Sequence, residues 1–322
     1  MTARRLLIIA TTIMAAIQGA EARTIFVSNE KGNSISIVDG DSLELIKEVP
    51  VGQRPRGIEL GKDGRFLYIC ASDDDLIQVM DTETYQIVDN LPSGPDPELM
   101  VVSPDGKTIY VANEDDNLVT VVDIESGTIK AEIPVGVEPE GMAVSPDGKT
   151  IVNTSETTNM AHFIDAETME NIANVLVDQR PRFAEFTADG AEVWVSAEIG
   201  GTVSVIDTVA KEVSHKITFA IPGVPDEAIQ PVGVRIAEDH SKAFVALGPA
   251  NRVAVIDAGT YEVEDYLLVG QRVWQLAFSP DEKTLYSTNG VSNDISVIDV
   301  EAGKVIKSVA VGSFPWGIVV KD

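Results

Sequence analysis

Seven aspartates set the frame of this chain: Asp39, Asp81, Asp123, Asp165, Asp207, Asp257 and Asp299. They recur every 42 residues, except that Asp207 and Asp257 are 50 apart. A fixed period of this size marks a repeat architecture, in which one unit cannot bury its own apolar faces and needs neighbours of the same kind. The stretch 95–136 shows the unit most clearly. Its apolar runs Leu99–Val102, Thr108–Ala112, Leu118–Val122 and Thr128–Val135 are separated by turn chemistry: Ser103-Pro104-Asp105-Gly106, the polar loop Asn113–Asn117, and a turn opened by Asp123. That pattern predicts a four-stranded antiparallel meander. Pro at the second turn position and Gly at the fourth suit a type I turn running into a bulge, where the glycine takes a positive φ. Seven such copies predict an all-β, seven-bladed β-propeller with four antiparallel strands per blade.

The two ends of the repeat array are complementary. The first copy begins with a second-strand sequence, Ile25-Phe26-Val27-Ser28-Asn29, and the last segment, Phe314–Val320, is a first strand with nothing after it. The C-terminal strand is therefore expected to complete the first blade and close the ring, removing the exposed edge. An open solenoid would instead need capping repeats. Residues 1–22 precede the array. Arg4 and Arg5, the apolar run Leu6–Ile17 and Ala20-Glu21-Ala22 read as a signal peptide cleaved after Ala22, with an h-region too short to span a bilayer. The expectation is a propeller over 23–322, exported to the periplasm or secreted, with no membrane segment.

Composition narrows the partners. A formal net charge of −27 repels nucleic acid and anionic lipid and favours solubility or a basic partner. The sole cysteine, Cys70, falls in a second strand, so it is expected to be buried and inert. No Cys-x-x-Cys-His occurs, which excludes covalent c-type haem. His162, His215 and His240 fall in different parts of their repeats and share no metal or nucleophile geometry. The repeated aspartates suit an Asx-turn role, because repetition in every blade argues for architecture.

The second strands read FLYICAS, TIYVANE, TIVNTSE, EVWVSAE, KAFVALG, TLYSTNG and TIFVSNE, with Ser-Pro-Asp-Gly-Lys-Thr ahead of several and Val-Ile-Asp ending third strands. This pattern resembles the YVTN family of β-propellers over the whole array. Together with the leader it is most similar to periplasmic members associated with PQQ-dependent catabolism. The resemblance implies an accessory role beside quinoprotein alcohol oxidation, with PQQ as a possible cofactor, and carries no catalytic residues to transfer.

Function is expected where the loops entering the innermost strands gather, at one mouth of the channel. Read around the ring, the residues flanking this junction are Arg54/Arg56, Asp96/Glu98, Glu138/Glu140, Arg180/Arg182, Gln230/Val232, Arg272/Trp274 and Phe314/Trp316. Arg forks and Trp faces suit a planar, anionic ligand. The candidate binding residues are thus Arg54, Arg56, Arg180, Arg182, Gln230, Arg272, Trp274, Phe314 and Trp316, beside an acidic rim of Asp96, Glu98, Glu138 and Glu140. Asp73–Asp75 and Glu114–Asp116 extend the acidic half. The alternative to ligand binding in that half is an inter-blade salt-bridge belt, Arg56 to Asp96 or Glu98 and Glu140 to Arg180 or Arg182. Solvation accounts for the acidic loops better than a metal, since the spacing matches no calcium loop. The alternative partner is a basic redox protein, such as a c-type cytochrome or a quinoprotein dehydrogenase. Two other readings stand beside binding: a lactonase-like hydrolase, recognisable by a strongly perturbed carboxylate in the cleft, and a structural cell-surface module. The eight-residue excess of blade five falls near Phe219–Gln230 and predicts a loop serving as lid, docking element or neutral insertion.

Overall fold

The computed structural model describes residues 23–322, and the expected leader, 1–22, lies outside the described residues. Those residues form seven four-stranded antiparallel sheets and two single turns of 3-10 helix. Blade 1 is closed as the ends of the repeat array require: Pro315–Lys321 is its innermost strand and pairs with Thr24–Asn29 in the register Thr24↔Lys321 to Val27↔Ile318. Blades 2 to 7 then follow in chain order, with innermost strands Pro55–Leu60, Pro97–Val102, Pro139–Val144, Pro181–Phe186, Val234–Ile236 and Val273–Phe278.

Burial follows position in the blade. The second strand of blade 3, Thr108–Asn113, is buried at every residue, because neighbouring blades cover both of its faces. The outermost strand, Thr128–Pro134, buries only Ile133. Apolar cover on both faces is what the Val- and Ile-rich inner strands require. Cys70 is fully buried and free, and burial raises its thiol well above the ordinary range.

Each repeated aspartate caps the turn after its third strand. Asp39, for example, accepts from the backbone N–H of Asp41 and Ser42, and Asp165 from Glu167 and Thr168. These hydrogen bonds hold both carboxyls below the usual range. The Ser-Pro-Asp-Gly turns also form as expected, with Gly106 and Gly148 at φ 76° and 72°.

A second latch joins the blades. Asn33, Asp75, Asn117, Asn159, Asn251 and Asn293 all take left-handed φ, and each accepts, through its side-chain oxygen, the backbone N–H of the residue 21 positions later. Those later residues are Arg54, Asp96, Glu138, Arg180, Arg272 and Phe314, themselves left-handed. Asn and Asp tolerate this conformation and supply the acceptor. The exception is Gly201, which has no side chain. The insertion follows it: Phe219 and Ile229 are buried, Asp226–Ala228 makes a 3-10 turn, and Pro222, Gly223 and Pro225 are exposed. Blade 6, which follows the insertion, has an innermost strand of only three residues.

Around the channel, close packing alternates. A Cβ added at Gly57, Gly141, Gly233 or Gly317 would meet the adjoining strand's carbonyl oxygen at 2.4 to 2.8 Å. The equivalent positions in blades 3, 5 and 7 hold Leu99, Phe183 and Gln275.

Candidate functional site

The mouth predicted from the repeat is real as geometry. Loops between second and third strands meet the residues that precede the innermost strands, and ion pairs join the two sets. In the acidic half, Arg54 pairs with Asp73 at 2.6 Å, with Glu98 at 3.2 Å and with Asp96. Arg56 pairs with Glu30 at 3.0 Å and with Glu98. The expected belt is therefore present here, with Arg54 rather than Arg56 taking Asp96. Glu98 has no exposed surface. Burial alone would raise its carboxyl, but the charges of Arg56 and Arg54 outweigh that and hold it below the usual range.

The belt continues into the other half, through acids that the sequence reading passed over. Arg180 pairs with Glu156 at 2.7 Å and with Glu198 at 3.3 Å. Arg182, 4% exposed, lies between Glu140 at 2.9 Å, Glu156, and Glu198 at 3.8 Å. Arg272 reaches Glu198 at 3.2 Å. Glu30, Glu114, Glu156 and Glu198 occupy one repeat position, immediately after the second strand, so a 42-residue periodicity of glutamate was available to find them. Gly248 and Gly290 replace glutamate in blades 6 and 7.

That substitution makes room for the tryptophan. A Cβ at Gly290 would lie 2.6 Å from Trp274 Nε1. The half-buried indole carries Arg272 over its ring at 4.4 Å and Arg182 at 5.9 Å. Arg182 reaches it across blade 6, where the small, buried Val232 leaves space and Gln230 is half-buried, its amide donating to the Glu227 carbonyl. Trp316 is 1% exposed and belongs to the core, with Arg56 at 5.7 Å from its ring centroid. Phe314 lies under Lys31 Nζ at 3.4 Å. The structure thus brings Arg182, Arg272 and Trp274 together, and sets Trp316 below the open rim. Glu138 stands on the rim and accepts from Thr157.

Two carboxyls of the mouth are strongly perturbed. Burial pushes Glu114 up, the Glu98 charge and a hydrogen bond to Glu98 add to this, and it reaches about 7. Burial also raises Glu140 well above the usual range, opposed by Arg182 and reinforced by Glu98 and Glu156. Asp96, Glu98 and Glu114 bring carboxylate oxygens within 4.8 Å of one another. Arg54 and Arg56 already pair with Asp96 and Glu98 of this cluster. The three histidines lie elsewhere. His162 accepts from Gly136 N–H at 2.9 Å, the bond that Gln78 makes in blade 2, while His215 stacks on Tyr261 at 4.1 Å. His240 sits in the far-mouth turn, left-handed at φ 57°.

Comparison with known proteins agrees with this architecture. The lactonase, 7-bladed β-propeller family matches residues 9–87, and the cytochrome D1 heme domain family matches residues 63–182. No curated protein matches the chain. Among solved structures, a hydrazine synthase chain from Kuenenia stuttgartiensis superposes with TM-score 0.79 at 23% identity, covering 89% of this chain and 99% of that one. A functionally unknown protein from Desulfotomaculum acetoxidans gives 0.79 at 17%, covering 92% and 98%. The dihydro-heme d1 dehydrogenase NirN, in complex with DHE, gives 0.71 at 16%, covering 96% and 77%. The chain is a seven-bladed β-propeller similar to the lactonase and cytochrome D1 propellers. At these identities the structural likeness carries the fold. A haem does not fit this mouth as built: Arg182, Glu98 and Glu140 are buried, ion-paired side chains there, and none of the three histidines lies at it.

Proposed function

We propose that this is an exported, non-catalytic propeller that docks a basic redox protein at the Arg–Glu mouth, as an accessory to quinoprotein alcohol oxidation. One observation carries the reading: all five mouth arginines are already engaged, and carboxylates remain in excess on the outer rim. Asp115 and Asp116 are exposed, and Glu138 is free of any arginine. A small anion, PQQ included, would compete with the carboxylates already on these arginines and, at Arg56 or Arg182, would have to displace buried glutamates. A lysine-rich face needs no such displacement, and the −27 chain steers it in. A c-type cytochrome or quinoprotein dehydrogenase is the class of partner that the YVTN resemblance suggests. The test is calorimetric titration with a basic c-type cytochrome. Binding that weakens steeply as salt rises supports the reading. Absence of binding at low salt, or binding indifferent to salt, sinks it.

A hydrolytic propeller is the second reading, favoured by Glu114, whose carboxyl near 7 suits proton transfer at neutral pH. A lactone panel tests it. Turnover that disappears in Glu114→Gln would favour the hydrolase, and no turnover above background removes it.

A further inference from the structure

The channel is closed part-way down. Beyond the ring formed by Arg56, Glu98, Glu140, Arg182 and Trp316, toward the Ser-Pro-Asp-Gly turns, lies a separate cavity of about 310 Å³. Its apolar wall includes Leu99 and Phe183, two of the large residues that alternate with channel glycines, together with Trp316. Its polar groups are Glu59, Glu185, Arg235, Gln275 and Thr187, whose hydroxyl is already bonded to Asp189.

Their pairing is uneven. Arg235 Nη1 donates to Glu185 at 2.5 Å, and Glu185 also accepts Ile236 N–H at 3.2 Å. Arg235 further lies over the Phe183 ring at 5.0 Å. Glu59 finds no hydrogen-bond partner among the described residues and faces the same cavity. Gln275 is 4% exposed, yet neither its Nε2 nor its Oε1 is hydrogen-bonded. Buried polar groups are ordinarily satisfied, so the unpaired amide of Gln275, in a cavity that the half-buried Glu59 also lines, marks a place where a ligand would complete the bonding.

We infer that this second cavity binds a compact organic cation, a primary ammonium on a short carbon chain, with the ammonium on Glu59, Gln275 Oε1 as a further acceptor, and the chain against Leu99, Phe183 and Trp316. The charge count favours a cation: two carboxyls face one guanidinium, and that guanidinium is committed to Glu185. An anion would meet both carboxyls, with the guanidinium already paired to Glu185. A neutral alcohol would satisfy Gln275 and leave Glu59 as it was. The inference does not depend on the docking reading, which concerns the opposite mouth.

Glu59 lies inside the channel, and burial pushes its carboxyl up to about 7, with the Arg235 charge opposing and the Glu185 charge adding. The ammonium requires Glu59 ionised, so affinity is highest above this value and falls as pH drops through it.

Titration of the full chain with n-butylammonium tests the inference, with 1-butanol and butyrate as neutral and anionic counterparts. Expected is one saturable site at about pH 8, weakened roughly tenfold or more by about pH 5.5. Glu59→Gln, close to isosteric, should weaken it by roughly tenfold or more, the loss of a charge-assisted contact. Gln275→Leu should weaken it less. Butanol or butyrate binding as tightly as butylammonium overturns the inference. So does full affinity in Glu59→Gln, which would reduce the signal to diffuse attraction by the acidic surface. Should Glu59→Gln fail to fold, the wild-type pH dependence and the butanol comparison decide alone: equal affinity at both pH values refutes it.

Discussion

Arg182→Ala is the sharpest probe of the belt. Arg182 is 4% exposed and faces three acids that are themselves nearly inaccessible, Glu140 at 1% and Glu156 and Glu198 at 4% each. Removing one partner from a buried ionic network leaves uncompensated charge and costs about 3–5 kcal/mol. For the 300 residues described here, an unfolding entropy of about 0.6 kcal/mol/K turns that into a loss of about 5–8 °C in Tm. The loss should depend on pH with a definite sign. Burial already holds Glu140 above the usual carboxyl range with Arg182 in place, and without the guanidinium it rises further. A carboxyl raised in the folded state costs nothing below its unfolded pKa, and its penalty grows as pH rises toward the folded value. Thermal melts of the variant against wild type should therefore show the full deficit at about pH 8 and a clearly smaller one at about pH 5. A deficit under about 2 °C at the higher pH, or an equal deficit at both, would refute the account of Arg182 as the hub of a buried network.

Other consequences are simpler. Deleting residues 314–322 removes the innermost strand of blade 1 and exposes two edges; light scattering should show association and melts a large loss, whereas an unchanged monomer would mean that the closure is dispensable. Asn117→Gly keeps the left-handed backbone but deletes the latch to Glu138 N–H. It should cost about 0.5–1.5 kcal/mol, and no change in a denaturant melt would make the latch incidental. Cys70 should resist thiol reagents until the protein unfolds, and rapid labelling of the native state contradicts its burial.

Much of the fold was legible because the repeat encodes it redundantly. The aspartate period gave the blade count, and the unmatched strands at the two ends gave the closure, since strand pairing leaves each only one partner. The insertion was visible as the 50-residue interval. The blade junction that lacks the Asn or Asp latch, at Gly201, is the one that carries it. The mouth was legible as a set of residues and not as a set of bonds. Arg272 pairs with Glu198, 74 residues away, and Arg182 reaches Trp274 across the reduced blade 6. Such partners depend on side-chain length and on local departures from sevenfold symmetry, which a period averages out. Trp316 illustrates the same limit: its repeat position matches Trp274, but Gly290 lets Trp274 settle at the mouth while Trp316 turns into the core. The far cavity was hidden for a related reason, because its lining comes from the innermost strands of several blades, Glu59, Leu99, Phe183, Arg235, Gln275 and Trp316 among them, which no single repeat displays.

The docking claim is tested most directly by neutralising the rim carboxylates that the belt does not use. In Asp115→Asn/Asp116→Asn/Glu138→Gln, the buried pairs of Arg54, Arg56, Arg180, Arg182 and Arg272 are untouched, so the melting temperature should stay within about 2 °C of wild type. Titration with a basic c-type cytochrome at low salt should then show weaker, slower association and a shallower salt dependence, as loss of rim charge predicts. Unchanged affinity and an unchanged salt slope in a folded triple variant would contradict the acidic mouth as the docking face.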